Sequence, residues 1–334
     1  VNGHLSTVFF KSVGLNVAAD TFVQLSLMNI IGGMVVVLGD DPGANSSQNE
    51  QDNRHLAMLS YTPVLEPADP TEVYLFYLEA ARLSQKHQMT VILRLTTHVC
   101  HAKERVDFGE WQPLQPDNTP RFDPANGPYI PITSLAIEQK RAALKKLEMV
   151  RLHAEQTDLN RVIDNKNPVH GVITMGLPFL SLMENMGGAA TNPDILKLGY
   201  SYPLAQKAIV KFLSEHQEIK IHEELDDTIE KQIKAMAFDH KLSVKIIGKT
   251  HIEDWIGEYT PDKFRGMLST AWPDMFKPIP TSEFSNPMPQ RPPQMCPGCG
   301  HRSAFHAIKQ SLSSEDSTVA DIGCHNLGFL PPYE

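Results

Sequence analysis

Three cysteines and the glycines beside them carry the strongest chemical signal in the chain. Cys296-Pro297-Gly298-Cys299-Gly300-His301 sets two thiols three residues apart across a Pro-Gly turn, so both sulfurs can face one centre while backbone N–H groups point the same way. A third thiol, Cys324, follows Asp321-Ile322-Gly323 at the end of a strand-like run, Thr318 to Ile322. These donors suit a metal ion or an iron–sulfur cluster. The same pair with a nearby His also suits structural zinc, and it could equally be redox-active or simply reduced. Gly323-Cys324 stands where a parallel sheet would present its carboxyl end, the usual seat of a phosphate-bearing ligand, and zinc alone would not account for that.

A second concentration of polar groups lies far upstream. Gly39-Asp40-Asp41-Pro42-Gly43-Ala44-Asn45-Ser46-Ser47-Gln48-Asn49-Glu50-Gln51-Asp52 follows the carboxyl end of the apolar run Met34 to Leu38. In an α/β sheet that is where substrates and cofactors are met. Taken singly, Ser47 or Asp52 would serve as well as a helix cap. Arg94 has the fork to grip a substrate carboxylate, or to form a structural ion pair. His98 and His101 are metal-ligand candidates or ordinary loop histidines.

The elements that must hold these groups read as strands and helices in alternation. Leu5 to Phe10 is a short strand, and Lys11 to Asn16 is the turn after it, opening a helix that ends near Gly32-Gly33. Met34 to Leu38, β-branched and apolar on both faces, is a buried parallel strand. Pro63 to Leu65 is another strand; Asp69-Pro70 caps a helix to Lys86, and the strand Thr90 to Leu95 delivers Arg94. Trp111 to Pro131 is an irregular connector. Glu138 to about Val162 reads as an amphipathic helix with Leu144, Leu147, Val150 and Leu152 as its apolar positions.

A further α/β unit follows, with strands Val169 to Met175, Ile195 to Leu198 and Ile219 to His222. Helices start at Gly176-Leu177-Pro178, at Pro203 and at Glu224, the last running to Met236. No cluster of titratable groups in it reads as catalytic. From His251 to Gln294 prolines are many and pattern is slight, so this reads as a linker with one short helix, Pro261 to Leu268. His301 to Leu312 is a helix and Thr318 to Ile322 the strand behind Cys324.

Length and composition bound the possibilities. The 334 residues carry a formal net charge of −9, which argues against a nucleic-acid groove. A hydrophobic content of 41% and a charged content of 21% are those of an ordinary globular protein. The four cysteines suit a reducing interior, no apolar run spans a bilayer, and the expected compartment is the cytoplasm, with no membrane partner. The chain starts at Val1 and stops soon after a glycine-bearing loop begins, so the reading is a piece of a longer polypeptide.

Several of these stretches together resemble one family. Lys11-Ser12-Val13-Gly14-Leu15-Asn16-Val17-Ala18-Ala19-Asp20, Asp40-Asp41-Pro42-Gly43 with Ser46 to Asp52, Arg94-Leu95-Thr96-Thr97, Cys296-Pro297-Gly298-Cys299 and Asp321-Ile322-Gly323-Cys324 resemble the alpha subunit of indolepyruvate ferredoxin oxidoreductase over nearly the whole chain. The Cys-Pro-Gly-Cys element is shared more widely among 2-oxoacid:ferredoxin oxidoreductases. The resemblance implies a thiamine diphosphate enzyme that decarboxylates an arylpyruvate, passes electrons singly to ferredoxin and leaves an acyl-CoA, in company with a smaller beta- or gamma-like subunit. It implies an α/β fold of several parallel-sheet units.

On that resemblance, residues 1–110 are part of a pyrimidine-binding-type domain and 111–166 a linker with a bridging helix. Residues 167–249 resemble the carboxy-terminal domain of transketolase, 250–290 are a linker, and 291–334 begin a diphosphate-binding domain. Gly14, Asp41, Gly43, Ser46 and Ser47, with Asp321, Gly323 and Cys324, are implied in cofactor binding, and Arg94 and Asn16 in substrate binding. Cys296, Cys299 and Cys324 match ligands of a [4Fe–4S] cluster, which would take electrons from the thiamine-bound carbanion.

The chain departs from the family pattern at Ser12, where His is expected, and at His325-Asn326, where Tyr-Thr is expected. The glutamate that activates the aminopyrimidine is expected before Val1, and the magnesium-binding Gly-Asp-Gly segment after Glu334. No fourth thiolate matches, and the piece as it stands is expected to be inert. Other readings are a different 2-oxoacid:ferredoxin oxidoreductase, or a non-catalytic assembly module held by zinc.

Overall fold

A computed structural model describes residues 3–45, 47–110, 127, 129–186, 192–278, 294–320 and 323–333. The chain divides into two units, Val1–Ile279 and Pro280–Glu334.

The first unit opens with β1 (Ser6–Lys11), the short helices α1 (Ser12–Val17) and α2 (Ala19–Leu25), and β2 (Met34–Gly39). The single helix expected to reach Gly32 is thus two short ones that end at Leu25. Gly14, Asn16 and the β-branched Val13 and Val17 are poor helix formers, and the break falls at Ala18. Next come α3 (Arg54–Leu59), β3 (Val64–Leu65), α4 (Pro70–His87), β4 (Thr90–Leu95) and the short α5 (Thr97–His101). Asp69 caps α4 as expected, its carboxylate accepting from the Glu72 N–H at 2.8 Å with Pro70 in the first turn.

The long helix α6 (Thr133–Ala154) is followed by β5 (Arg161–Ile163), β6 (His170–Met175), α7 (Gly176–Met186), β7 (Asp194–Leu198), β8 (Tyr200–Tyr202) and α8 (Gln206–Ser214). The helix stops well before Val162 because Asn160 turns back on it, its amide donating to the Ala154 carbonyl at 2.7 Å. The buried stripe of α6 is Gln139, Ala143, Val150 and Ala154, while Leu144 and Leu152 face outward. Small residues let the helix lie close, and the larger leucines fall off the stripe.

The unit is completed by β9 (Glu218–His222), α9 (Thr228–Asp239), β10 (Lys245–Ile247) and α10 (Pro261–Ala271). The helix expected from Glu224 begins at Thr228, since Glu223 folds back to accept from the Ile229 N–H at 3.0 Å and the Glu230 N–H at 2.7 Å.

Two five-stranded sheets result, in the orders β1-β2-β4-β3-β8 and β10-β9-β6-β7-β5. All neighbours are parallel except β8 against β3 and β5 against β7, one antiparallel edge in each sheet. Strand β8, from the middle of the chain, completes the first sheet. Alternation decides the faces: Val35, Val91 and Leu93 pack with Phe76 and Ala80 of α4 and Val150 of α6, whereas Val36, Leu38 and Ile92 pack with Leu15, Phe22 and Ala57. The second sheet lays Ile173, Leu196 and Ile219 against α8 and α9, and Val172 and Ile195 against α7 and α10. Residues 251–277, patternless in sequence, send Tyr259, Phe264, Leu268, Trp272 and Phe276 into that last layer.

The second unit holds α11 (Gly300–Ser311), close to the helix expected, and a 3-10 turn at Cys324–Phe329. The expected strand Thr318 to Ile322 is not formed over 318–320, where Val319 is fully exposed and no strand pairs it among the described residues; Asp321 and Ile322 lie outside them.

Candidate functional site

The carboxyl ends of β1, β2 and β4 lie side by side, and the loop after Gly39 crosses them. Its first residue is pinned by the Asp40 N–H donating to the Leu95 carbonyl at 2.8 Å. The Asp40 carboxylate accepts from Arg94 Nε at 2.6 Å and from the Asn53 amide at 2.5 Å, so both ends of the loop meet at one buried acid. Asp41 accepts from Thr97 Oγ1 at 2.6 Å and lies 3.3 Å from Lys11 Nζ. The Asn16 and Gln51 amides exchange hydrogen bonds at 2.7 and 2.8 Å, and Ser12 Oγ lies 3.4 Å from Ser47 Oγ. Glu50 closes the loop, one oxygen accepting from the Gly43 N–H at 2.8 Å and the Gly257 N–H at 2.6 Å. Gly43 has φ +85° and Gly257 φ +75°, backbone conformations that L side chains rarely adopt, so glycine is required at both ends of this contact by conformation.

Four of the expected residues, Asn16, Asp41, Gly43 and Ser47, therefore lie in this loop or are bonded to it, Arg94 holds its first residue, and Gly14 lies in α1, which follows directly on β1. Ser46 lies outside the described residues. Arg94 is buried, with Nε on Asp40 and Nη1 on Glu66 at 2.8 Å, while Nη2 has no partner among the described residues. Oε1 of the same Glu66, and Thr96 Oγ1 two residues beyond Arg94, are buried and equally unmatched among those residues. Burial pushes Asp40 above the usual carboxylate range although Arg94 pulls it down, and the two acids beside Arg94 hold its guanidinium above its ordinary value against the cost of burial.

Reasoning from sequence missed the groups that bind this edge to the second sheet. Arg54 is buried, with Nε and Nη2 on Asp52 at 2.9 and 2.5 Å and Nη1 on Glu223 at 2.7 Å; Nη2 also donates to the carbonyls of Glu224 and Asp226. Burial raises the Asp52 carboxyl, but Arg54 outweighs it and holds it at about 2. Glu224 is buried after β9 and accepts from the Tyr259 N–H at 2.8 Å; burial lifts it to about 7. The available signal was two adjacent glutamates directly after a strand, Glu223-Glu224 following Ile219 to His222.

In the second unit the Cys-Pro-Gly-Cys turn is formed, with the Cys299 N–H donating to the Cys296 carbonyl at 3.1 Å and Gly298 at φ +75°. Cys299 Sγ lies 3.3 Å from His301 Nδ1, and His301 Nε2 lies 3.2 Å from His325 Nε2. Gly323, at φ +103°, precedes Cys324 in its 3-10 turn, and Asp321 lies outside the described residues. All four cysteines are free thiols. Among the described residues no group of three or more His, Cys, Asp or Glu is arranged to hold a metal ion. The donor types fit a thiolate-bound cluster; the arrangement does not gather them.

Two mostly parallel sheets with helices between their strands, and a long polar loop at the carboxyl ends of one of them, define an α/β fold. A solved 2-oxoglutarate:ferredoxin oxidoreductase from Magnetococcus marinus, with 2-oxoglutarate, coenzyme A and succinyl-CoA bound, shares that fold, with a TM-score of 0.53 over 80% of this chain and 52% of that one; at 13% identity the likeness is one of fold alone. The chain is similar to indolepyruvate oxidoreductase subunit IorA. It is 34% identical to that subunit from Methanothermobacter thermautotrophicus over 342 residues, covering 99% of this chain and 54% of the relative. To the subunit from Pyrococcus abyssi it is 32% identical over 331 residues, covering 96% and 51%. The chain spans about half the length of the curated relatives it matches. No protein-family model matches it. Among the described residues no helix is long and apolar enough to cross a membrane.

Proposed function

We propose that the chain is part of a thiamine diphosphate-dependent oxidoreductase that decarboxylates arylpyruvates, indolepyruvate above all. In the balanced reaction, the 2-oxoacid, CoA and two oxidised ferredoxins give acyl-CoA, CO2, a proton and two reduced ferredoxins. The observation that carries this is the similarity to IorA along almost every residue of the chain. The polar loop at the carboxyl ends of β1, β2 and β4 supports it, since Asp41, Gly43 and Ser47 lie in that loop and Asn16 is bonded to it. The thiamine ring would supply the carbanion chemistry, with its diphosphate held by Mg2+.

In this reading Gly14, Asp41, Gly43, Ser46 and Ser47 line the pyrimidine side, and Asp321, Gly323 and Cys324 serve the diphosphate side. Arg94 and Asn16 orient the 2-oxoacid, with Arg94 Nη2 as the free edge of the fork. Cys296, Cys299 and Cys324 are proposed as thiolates of a [4Fe–4S] cluster, a role supported by donor type and family likeness. The divisions at 1–110, 111–166, 167–249, 250–290 and 291–334 belong to the same proposal. So do the smaller partner subunit, ferredoxin and CoA as partners, and a cytoplasmic site suited to free thiols.

The test is viologen dye reduction by the full-length protein with its partner subunit, over a panel of 2-oxoacids with CoA. Preference for indolepyruvate is expected, and preference for pyruvate would defeat the aryl assignment. Iron and acid-labile sulfide should be found after anaerobic purification. Zinc without sulfide would remove the cluster and leave the assembly-module reading.

A further inference from the structure

We propose that helix α6 carries a self-complementary face that pairs antiparallel with α6 of a second copy of this chain. The stripe of the helix that meets the core is Gln139, Ala143, Val150 and Ala154. On the far side Ile137, Arg141, Leu144, Glu148 and Leu152 follow one another at steps of four, three, four and four residues. At about 100° per residue these five fall within roughly 80° of one another, nearly opposite the buried stripe. The three apolar members are 56%, 44% and 39% exposed. A helix with one buried face ordinarily turns polar side chains outward, so a second apolar file in line points to a second contact.

The order of charge along the file identifies the occupant. It runs apolar, basic, apolar, acidic, apolar, which is its own complement when reversed. With a two-fold axis beside Leu144, Ile137 comes level with Leu152 of the second copy, Arg141 with Glu148, and Leu144 with Leu144 to within one residue. The ion pair and the outer apolar pair are each made twice. A parallel arrangement in register would set Arg141 against Arg141 and Glu148 against Glu148, so the charges admit one direction only, and the opposed helix dipoles favour the same direction.

Both charged groups are open to a partner. Arg141 is exposed and has no ion pair or hydrogen bond among the described residues. The Glu148 carboxylate is set in place by Arg151, whose Nε and Nη2 donate to its two oxygens at 2.7 and 2.6 Å, yet its side chain is 52% exposed and each oxygen keeps room for a further donor. A carboxylate already placed loses less freedom when a partner arrives. Lys145 lies to the flank of Leu144, where a long stem covers apolar surface while the ammonium stays in water. From Ile137 to Leu152 the file is about 22 Å long, so the pair buries less than the roughly 1,200 Å² of a standard interface and associates weakly on its own. None of these residues belongs to the polar loop, so the contact stands or falls apart from the reaction proposed above.

Crosslinking of the full-length protein tests it. Leu144→Cys, mildly oxidised, should give a covalent dimer joined through position 144, identified by peptide mass spectrometry against the background of the four native thiols. Adding Arg141→Glu should cut its yield about tenfold, because two attractive pairs become repulsive, and Glu148→Arg on top of that should restore it. A mixture of Ile137→Cys and Leu152→Cys proteins should join 137 to 152 and leave 137 unjoined to 137. Melting temperatures equal to wild type show that each variant is folded. No dimer through position 144, an equal yield with and without Arg141→Glu, no recovery with both charges exchanged, or position 144 joined instead to another stretch of the chain or to a partner subunit would each overturn the proposal.

Discussion

Arg54 Nη1 lies 2.7 Å from Glu223 Oε2, although the two residues are 169 positions apart. Arg54 opens the helix after the polar loop, and Glu223 stands at the end of a strand of the other sheet, so one buried guanidinium joins the edges of two parallel sheets. The same guanidinium grips Asp52 at the close of the loop. Position of the loop and packing of the sheets are thereby one structural fact.

Replacing Arg54 by Met should cost about 3–5 kcal/mol, because Asp52 and Glu223 are left buried without their partner. Urea denaturation would show it as a lower midpoint. Arg54→Lys should recover little of this, since an ammonium cannot meet Asp52 with two parallel N–H groups while reaching Glu223.

Acid should reveal the Asp52 half of the contact. Its carboxyl is depressed from 3.8 to about 2, so the stability it contributes is present above about 3.8 and is lost as pH falls through about 2. In Asp52→Asn that part of the slope should vanish, measured as the difference in unfolding free energy between the two proteins across this window.

Arg94→Gln should destabilise by about 3–5 kcal/mol at neutral pH, since Asp40 and Glu66 lose their common cation. The loss should be smaller at about pH 5 than at about pH 8, because the stranded acids can take up protons. Thermal melts at the two values decide it. A uniform loss would mean that Arg94 acts only by filling space.

Glu50→Ala should free the Gly43 and Gly257 amides, each losing a bond to a carboxylate that contributes about 1.5–3 kcal/mol. Exchange at those two amides should quicken while the sheet amides keep their protection.

Phe264→Ala should cost about 3–5 kcal/mol if residues 251–277 are part of the core. Chemical denaturation measures it. A change below about 1 kcal/mol would return the segment to the status of a linker.

Much of the frame was legible in the chain itself. Strand β2 announces itself because a parallel strand covered on both faces is apolar almost throughout, β1, β4, β6, β7 and β9 because short runs of β-branched, leucine or aromatic residues recur between helical stretches, and α4 because Asp69-Pro70 is an unambiguous start. The polar loop stood out because fourteen residues from Gly39 to Asp52 follow a buried strand with almost no apolar side chain. Elements of three residues, such as β5, β8 and β10, carry too few positions to show a period. Helix ends slipped wherever a distant side chain cut or capped them, as Asn160 does for α6 and Glu223 for α9.

What the linear order of residues determined was therefore the alternation of strand and helix, the loop that follows β2, and the family likeness carried by local motifs. What only the tertiary structure decided was the partnering of charges: that Arg94 turns to Asp40 and Glu66, that Arg54 reaches Glu223, and that Glu224 is sealed among acids. Periodicity reports which face of an element meets the core, over a few residues. Ion pairs between groups some thirty to 170 positions apart depend on how whole sheets are set together, and no local pattern encodes that.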